Sequence, residues 1–249
     1  MGKNYLSVVI PAYNEERSIK AGSLQAVWGY LSKQGFSWEV LVVDDGSTDK
    51  TLSLLKQVSK NHWGFKILQE PHRGKGGSVI AGMLKADGEI ILFTDMDQAT
   101  PIGELEAVLP KFNRGYDVVI GSRSGREGAP FFRKLMAYGF SLLRLLVLGL
   151  PYKDTQCGFK AFKKDAAEKI FKRLRVFNEN TVAKGAAVTA GFDLEILYIA
   201  RKLGLKVAEV PVVWRHKETE RINALKDSWE GFRDLLKVRI NALLGRYKG

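Results

Sequence analysis

Cysteine is nearly absent, with Cys157 alone among 249 residues. One thiol cannot close an internal disulfide, so a disulfide-stapled scaffold is excluded and a reducing compartment is expected. No basic-then-apolar leader with a small-residue cleavage site opens the chain, and secretion is not expected. Long apolar runs are also missing. The most apolar stretch, Leu135 to Leu150, contains Ser141 and Arg144. It is short for a bilayer span, and a central arginine costs about 2.5–3.5 kcal/mol on insertion. Two phosphate signatures are lacking: G-x-x-x-x-G-K-[ST], and G-x-G-x-x-G after the first apolar run, whose absence argues against a dehydrogenase. There is no internal repeat and no low-complexity tract.

What is present can fill a core. The chain is 45% hydrophobic and 27% charged, which excludes intrinsic disorder as its main description. Its length fits one large domain, or one domain with an appendage. The net charge is +12 and is unevenly placed. Residues 1–119 carry 13 Lys/Arg against 14 Asp/Glu, a net of −1. Residues 120–175 stand at +9 and residues 176–249 at +4. Such asymmetry suggests contact with nucleic acid, an anionic membrane or a phosphorylated substrate.

The first half alternates short apolar runs with helix-length stretches. The runs are Tyr5–Ile10, Trp38–Val43, Phe65–Leu68, Glu89–Phe93 and Asp117–Ile120. Alternating β and α with nearly continuous apolar strands predicts an α/β fold, a buried and mainly parallel sheet covered on both faces. Ligands of such sheets lie beyond the carboxyl ends of the strands. There this sequence places Tyr13/Asn14/Glu15, Asp44/Asp45, Asp95/Asp97 and Ser122/Arg123. The second half is expected to hold two amphipathic helices. One includes residues 135–150. The other, basic, carries a stripe of Leu225, Trp229, Phe232, Leu236, Ile240 and Leu243. Each fits either packing on its own domain or lying on a bilayer surface. The expected division is residues 1–221 for the α/β domain and 222–249 for the terminal helix.

Asp95-Met96-Asp97 follows an apolar strand, where two carboxylates one residue apart can converge on one hard cation. Mg²⁺ or Mn²⁺ is usually held by one or two carboxylates, with phosphate oxygens completing the shell. Asp44-Asp45-Gly46-Ser47-Thr48-Asp49 fits a capped turn, a carboxylate that hydrogen-bonds a nucleobase or ribose, or both. Arg73-Gly74-Lys75-Gly76-Gly77-Ser78 precedes a helix, where backbone N–H groups and Lys75 favour an anion.

These motifs, with Val8–Glu16 before them, occur in the order seen in family 2 glycosyltransferases of the GT-A fold. Asp154–Lys160, Phe192–Glu195 and Trp214-Arg215-His216 narrow the likeness. The chain resembles the polyprenyl- and dolichyl-phosphate glycosyl synthases over about residues 5–220, and the dolichyl-phosphate glucosyltransferase branch above the others. The resemblance implies that Pro11, Tyr13, Glu15, Asp45, Lys75 and Asp95 bind the nucleotide sugar, and that Asp95 and Asp97 carry the metal. It implies that Arg123, Arg133 and Arg215 serve the acceptor phosphate and the diphosphate, with Asp95, Asp97 and Arg123 as the catalytic set. Three departures stand out. Ala99 occupies the place where the mannose branch often has Gln, so UDP-glucose is favoured over GDP-mannose as donor. Glu218-Thr219-Glu220-Arg221 replaces a Gly-Ser-Lys loop, and residues 178–189 read as an insertion.

The implied reaction joins a lipid phosphate oxygen to the anomeric carbon with inversion. A phosphate monoester is already mostly ionised at pH 7, its second pKa being about 6, so no protein base is required. Asp193 and Glu195 fit either a base or sugar-hydroxyl ligand, or acids in the first turn of a helix. His62 and His72 read as loop residues, and Trp28, Trp38 and Trp63 as packing. Cys157 reads as core filler. The expected partners are a nucleotide sugar, a polyprenyl or dolichyl phosphate and an anionic membrane surface. The expected location is the cytoplasmic face of a membrane, held peripherally without a transmembrane helix. A hydroxyl acceptor is the alternative within enzymes and a basic nucleic-acid-binding module the alternative outside them. Against the latter, acidic clusters occupy the strand ends where phosphates would bind; no nucleic acid is expected.

Overall fold

The computed structural model describes residues 4–123, 131–176, 190–215 and 224–247. The apolar runs become strands β1 (Leu6–Ala12), β2 (Trp38–Asp44), β3 (Phe65–Gln69), β4 (Ile90–Phe93) and β5 (Val118–Arg123). Between them run helices α1 (Glu16–Lys20), α2 (Ser23–Leu31), α3 (Thr51–Asn61), α4 (Gly74–Lys85) and α5 (Leu105–Asn113). Then come α6 (Phe131–Leu148), β6 (Lys160–Lys163), α7 (Lys164–Phe171), α8 (Ala190–Lys202), β7 (Val207–Val212) and α9 (Ala224–Leu243).

The seven strands form one sheet in the order β3-β2-β1-β4-β6-β5-β7. All pairings are parallel except those of β6, which runs antiparallel between β4 and β5. Strands β1, β2 and β4 are buried almost throughout, as expected of a sheet covered on both faces. One core lies under α1, α2, α3 and α5, and the other under α4, α7, α8 and α9. The mainly parallel reading therefore holds. The antiparallel β6 is the exception, and it brings the run 154–160 alongside the strand ends that carry Asp95 and Arg123.

The two amphipathic helices form, but their polarity is partly inverted. In α6, Arg144 is buried and donates to Ser141 Oγ, Thr155 Oγ1 and the Tyr152 carbonyl. Leu142, Leu145 and Leu146 face solvent instead. In α9 the inner face combines Leu235 and Val238 with Asp234 and Asn241. Trp229, Leu236, Ile240 and Leu243, most of the stripe read from the sequence, lie on the outside. Among the described residues, no helix is long and apolar enough to cross a membrane.

Candidate functional site

The loops after β1 and β2 are tied together. Asn14, at a positive φ of 53°, accepts from the Thr48 N–H at 2.8 Å, and its own N–H donates to Ser47 Oγ. The Glu15 N–H donates to Thr51 Oγ1 at 2.7 Å, while Ser18 Oγ donates to the Glu15 carboxylate. This fixes Tyr13 and Glu15 at one edge of the crevice, beside the half-buried Pro11.

Asp45 is buried, and both its oxygens are engaged. Oδ1 accepts from the Arg73 N–H, and Oδ2 accepts from the Gly74 N–H and pairs with His72 Nδ1, each at 2.8 Å. Asp45 thereby holds the turn that opens α4, where Gly74 takes a φ of +77° that disfavours any side chain. His72 in turn stacks on Tyr13, ring centroids 4.0 Å apart. Next to Asp45, the buried Asp44 Oδ1 has no hydrogen-bond partner among the described residues. A donor on a ligand would supply what that oxygen lacks.

At the end of β4, Lys75 Nζ lies 2.5 Å from Asp95 Oδ1. Burial works against the Lys75 ammonium, yet Asp95, Asp193 and Asp97 together hold its pKa above the usual lysine range. Gly158 backs Asp95 so closely that a Cβ there would fall 2.1 Å from Oδ2. Asp97 Oδ1 accepts from the Ala99 N–H at 2.9 Å in a tight local turn. Gln98, at a φ of 53°, donates through Nε2 to the Asp95 carbonyl, and its buried Oε1 has no hydrogen-bond partner among the described residues.

This donor set suits a hard divalent cation. Two carboxylates and an amide oxygen without a partner among the described residues sit within one turn, and the Lys75 ammonium shows that Asp95 is open to a positive charge. Among the described residues no group of three or more His, Cys, Asp or Glu could hold a metal alone.

Arg123, at the end of β5, is clasped by Asp154 and stands 5.8 Å from the Trp214 ring centroid. Asp95, Thr100, Arg123, Gln156, Gly158 and Trp214 line one cavity of about 50 Å³. The exposed Arg215 is tied through its N–H to the Ala99 carbonyl at 2.8 Å, which joins the end of β7 to the loop bearing Asp97. The Arg133 side chain, His216, residues 218–221 and residues 178–189 lie outside the described residues.

The two acids of α8 part ways. Asp193 pairs with the buried Lys160 at 2.8 Å. Glu195 is fully buried and accepts from the Arg175 and Val176 N–H groups and the Tyr247 hydroxyl, which clamps α8 to the chain after α9. The sugar-ligand reading of Glu195 is thereby overturned: its oxygens face the interior. Cys157 is buried, and desolvation pushes its thiol up, as fits a core residue. Asn14 and Lys160 stand in the sequence only as members of longer motifs, and Gln98 is given no role there. The left-handed backbone of Asn14 and Gln98 and the burial of Lys160 emerge only in three dimensions.

The model of the family described as Glycosyl transferase family 2 matches residues 7–171. Dolichyl-phosphate beta-glucosyltransferases from Dictyostelium discoideum and Drosophila melanogaster are each 34% identical over 98% of this chain, covering 76% and 77% of their lengths. The Homo sapiens enzyme of the same name is 32% identical, also over 98% of this chain and 77% of its own. Among solved structures, mannosyl-3-phosphoglycerate synthase from Rubrobacter xylanophilus superposes with a TM-score of 0.68 at 19% identity, covering 99% of this chain and 76% of that one. Glucosyl-3-phosphoglycerate synthase from Mycobacterium tuberculosis, solved with Mn²⁺, UDP and glucosyl-3-phosphoglycerate, gives 0.60 at 21% identity, over 94% and 80% of the two chains. The structural likenesses bear on the fold, which is GT-A. From the matched domain and the full-length relatives together, the chain belongs to glycosyltransferase family 2, as a relative of the dolichyl-phosphate beta-glucosyltransferases.

Proposed function

We propose that the protein transfers glucose from UDP-glucose to a dolichyl or polyprenyl phosphate, with inversion, at the cytoplasmic face of a membrane. The observation that carries this reading is the cavity shared by Asp95 and Arg123. A carboxylate suited to a metal–diphosphate and a guanidinium suited to a phosphate there face the same small space. The relatives' names supply the sugar and the lipid phosphate. A β-linked product from an α-linked nucleotide donor is inversion.

In this reading Pro11, Tyr13, Glu15 and Asp45 hold the nucleoside end of the donor, Asp45 acting through the His72–Gly74 turn. Lys75 neutralises the diphosphate. Asp95 and Asp97, with Gln98 adjacent, would hold Mg²⁺ or Mn²⁺, which supplies Lewis-acid stabilisation of the departing diphosphate. Arg123, Arg133 and Arg215 bring the acceptor phosphate to the anomeric carbon. An acceptor oxygen forms the new bond to that carbon while the bond to the UDP oxygen breaks, and the electron pair leaves with UDP. The acceptor is an anion already, so no side chain need take a proton.

Residues 1–221 carry this chemistry, and 222–249 carry part of the membrane contact. The outward leucines of α6 and the outward stripe of α9 are the support, since an apolar helix face turned to solvent needs an apolar partner. Transfer assays with UDP-glucose, UDP-N-acetylglucosamine and GDP-mannose, each with Mg²⁺ or Mn²⁺ and with or without dolichyl phosphate, test the proposal. Glucosyl dolichyl phosphate is the expected product. Glycosylation of hydroxyl acceptors with none on the lipid phosphate would overturn it.

A further inference from the structure

We propose that Lys160 is a positioning residue of this transfer site, a buried ammonium that fixes the carboxylate of Asp193. The inference rests on the glycosyl-transfer reading above.

Lys160 is fully buried. Burying an ammonium is costly unless it is paired, and cores otherwise place Met or Leu at such positions. Its Nζ donates to Asp193 Oδ1 at 2.8 Å and to the Cys157 carbonyl, and it sits 5.5 Å from the Phe93 ring centroid. Those contacts satisfy the charge. The packing does not explain why a charge is there, because its partners in the neighbouring strands are Phe93 and Ile120.

Its place in the sheet supplies a reason. Lys160 opens β6 and is in register with Phe93 on one side and Ile120 on the other. Phe93 precedes Asp95 by two residues and Ile120 precedes Arg123 by three. Asp193 reaches in from the first turn of α8, a different element, and without an anchor its position would depend on that helix end alone. Its charge is among those that hold Lys75 and Arg123 above their usual pKa ranges, against their burial. The run 154–160 thus serves three site residues in succession: Asp154 clasps Arg123, Gly158 backs Asp95 and Lys160 holds Asp193.

The test is a double-mutant cycle of Lys160→Met, Asp193→Asn and the double variant, assayed for glucosyl transfer to dolichyl phosphate with melting curves alongside. If Lys160 acts through Asp193, each single change lowers kcat about 100-fold while donor KM moves no more than about threefold. The double variant is then no slower than the slower single. Losses that multiply to about 10⁴, or an unchanged kcat in Lys160→Met, would overturn the inference. Should Lys160→Met fail to fold, Lys160→Gln, which keeps a donor for Asp193 but not the charge, is compared with Asp193→Asn: a smaller loss in kcat than that of Asp193→Asn is expected, and a larger one would overturn the inference. A wild-type protein that forms no lipid-linked sugar defeats the transfer reading and this inference with it. An active wild type with multiplicative losses defeats this inference alone.

Discussion

Arg123 and Asp154 form a two-pronged pair, Nε to Oδ2 at 2.6 Å and Nη2 to Oδ1 at 2.9 Å, and the Arg123 N–H also donates to Oδ2. The guanidinium is therefore a fixed cation, oriented before any substrate arrives. Burial raises the Asp154 carboxyl, but the Arg123 hydrogen bonds and charge outweigh it and hold the group at about 2, against an ordinary 3.8. A carboxyl depressed on folding stabilises the fold above its unfolded pKa and loses that contribution as pH falls through its folded value. The pair should add on the order of 2 kcal/mol at neutral pH, lost between about pH 4 and pH 2. In urea melts from pH 6 to pH 2, Asp154→Asn should lack this part of the acid limb. An acid limb as steep as wild type's would show that the pair does not form.

Gly158→Ala should damage activity far more than stability. The added methyl carbon would meet Asp95 Oδ2 at 2.1 Å, and the carboxylate must move away from Lys75 to admit it. We expect a loss in kcat/KM of about 100-fold, the scale of a misplaced catalytic group. Gly29→Ala is the control: it lies within α2 and its Cβ meets nothing within 4 Å. That change should leave turnover alone and stabilise by about 0.5–1 kcal/mol. Equal activity in the two variants would count against the Asp95 placement.

Asp97→Asn should abolish metal-dependent turnover and leave the melting temperature within a few degrees. Asparagine Oδ1 can still accept from the Ala99 N–H, as Asp97 does, so the turn survives while a hard anionic ligand is lost. Titrating Mn²⁺ into the protein with UDP present should show affinity reduced by at least about tenfold. Wild-type rates in the variant, or in the presence of EDTA, would sink the metal role.

The strand ends were legible in the sequence because a buried parallel strand is a continuous apolar run, and the residues just after each run must sit at its carboxyl edge. That reasoning located Asp45, Asp95, Asp97 and Arg123 without coordinates. It could not divide their work. Asp44 and Asp45 stand at the same strand end, and only the structure gives Asp45 three protein partners while the adjacent Asp44 Oδ1 has none among the described residues. Lys160 closes the run Asp154–Lys160 without a role of its own, since burial is a property of the antiparallel β6 and no periodicity announces a single inserted strand. Periodicity also marked the apolar stripe of α9 correctly but not its direction, because a helical wheel does not say which face meets the core.

That direction makes membrane binding testable. Trp229, Leu236, Ile240 and Leu243 form an outward apolar stripe on α9, with the exposed Arg233 and Lys237 on one side and Arg239 on the other. Cations on both edges of an apolar stripe can reach lipid phosphates while the stripe sinks among acyl chains, a geometry suited to an interfacial helix. Two forces then add, and they separate by salt. Arg233→Gln with Lys237→Gln should weaken sedimentation with anionic vesicles at low salt and matter little at about 0.5 M salt, where charges are screened. Leu236→Gln with Ile240→Gln should weaken it at both, and should leave the melting temperature unchanged or raised, because neither side chain is buried. The same pair should slow transfer to dolichyl phosphate embedded in vesicles and spare transfer to a short, detergent-soluble polyprenyl phosphate. If vesicle binding and both activities survive Leu236→Gln with Ile240→Gln, α9 does not seat the protein on the membrane, and the outward leucines of α6 are the face to test next.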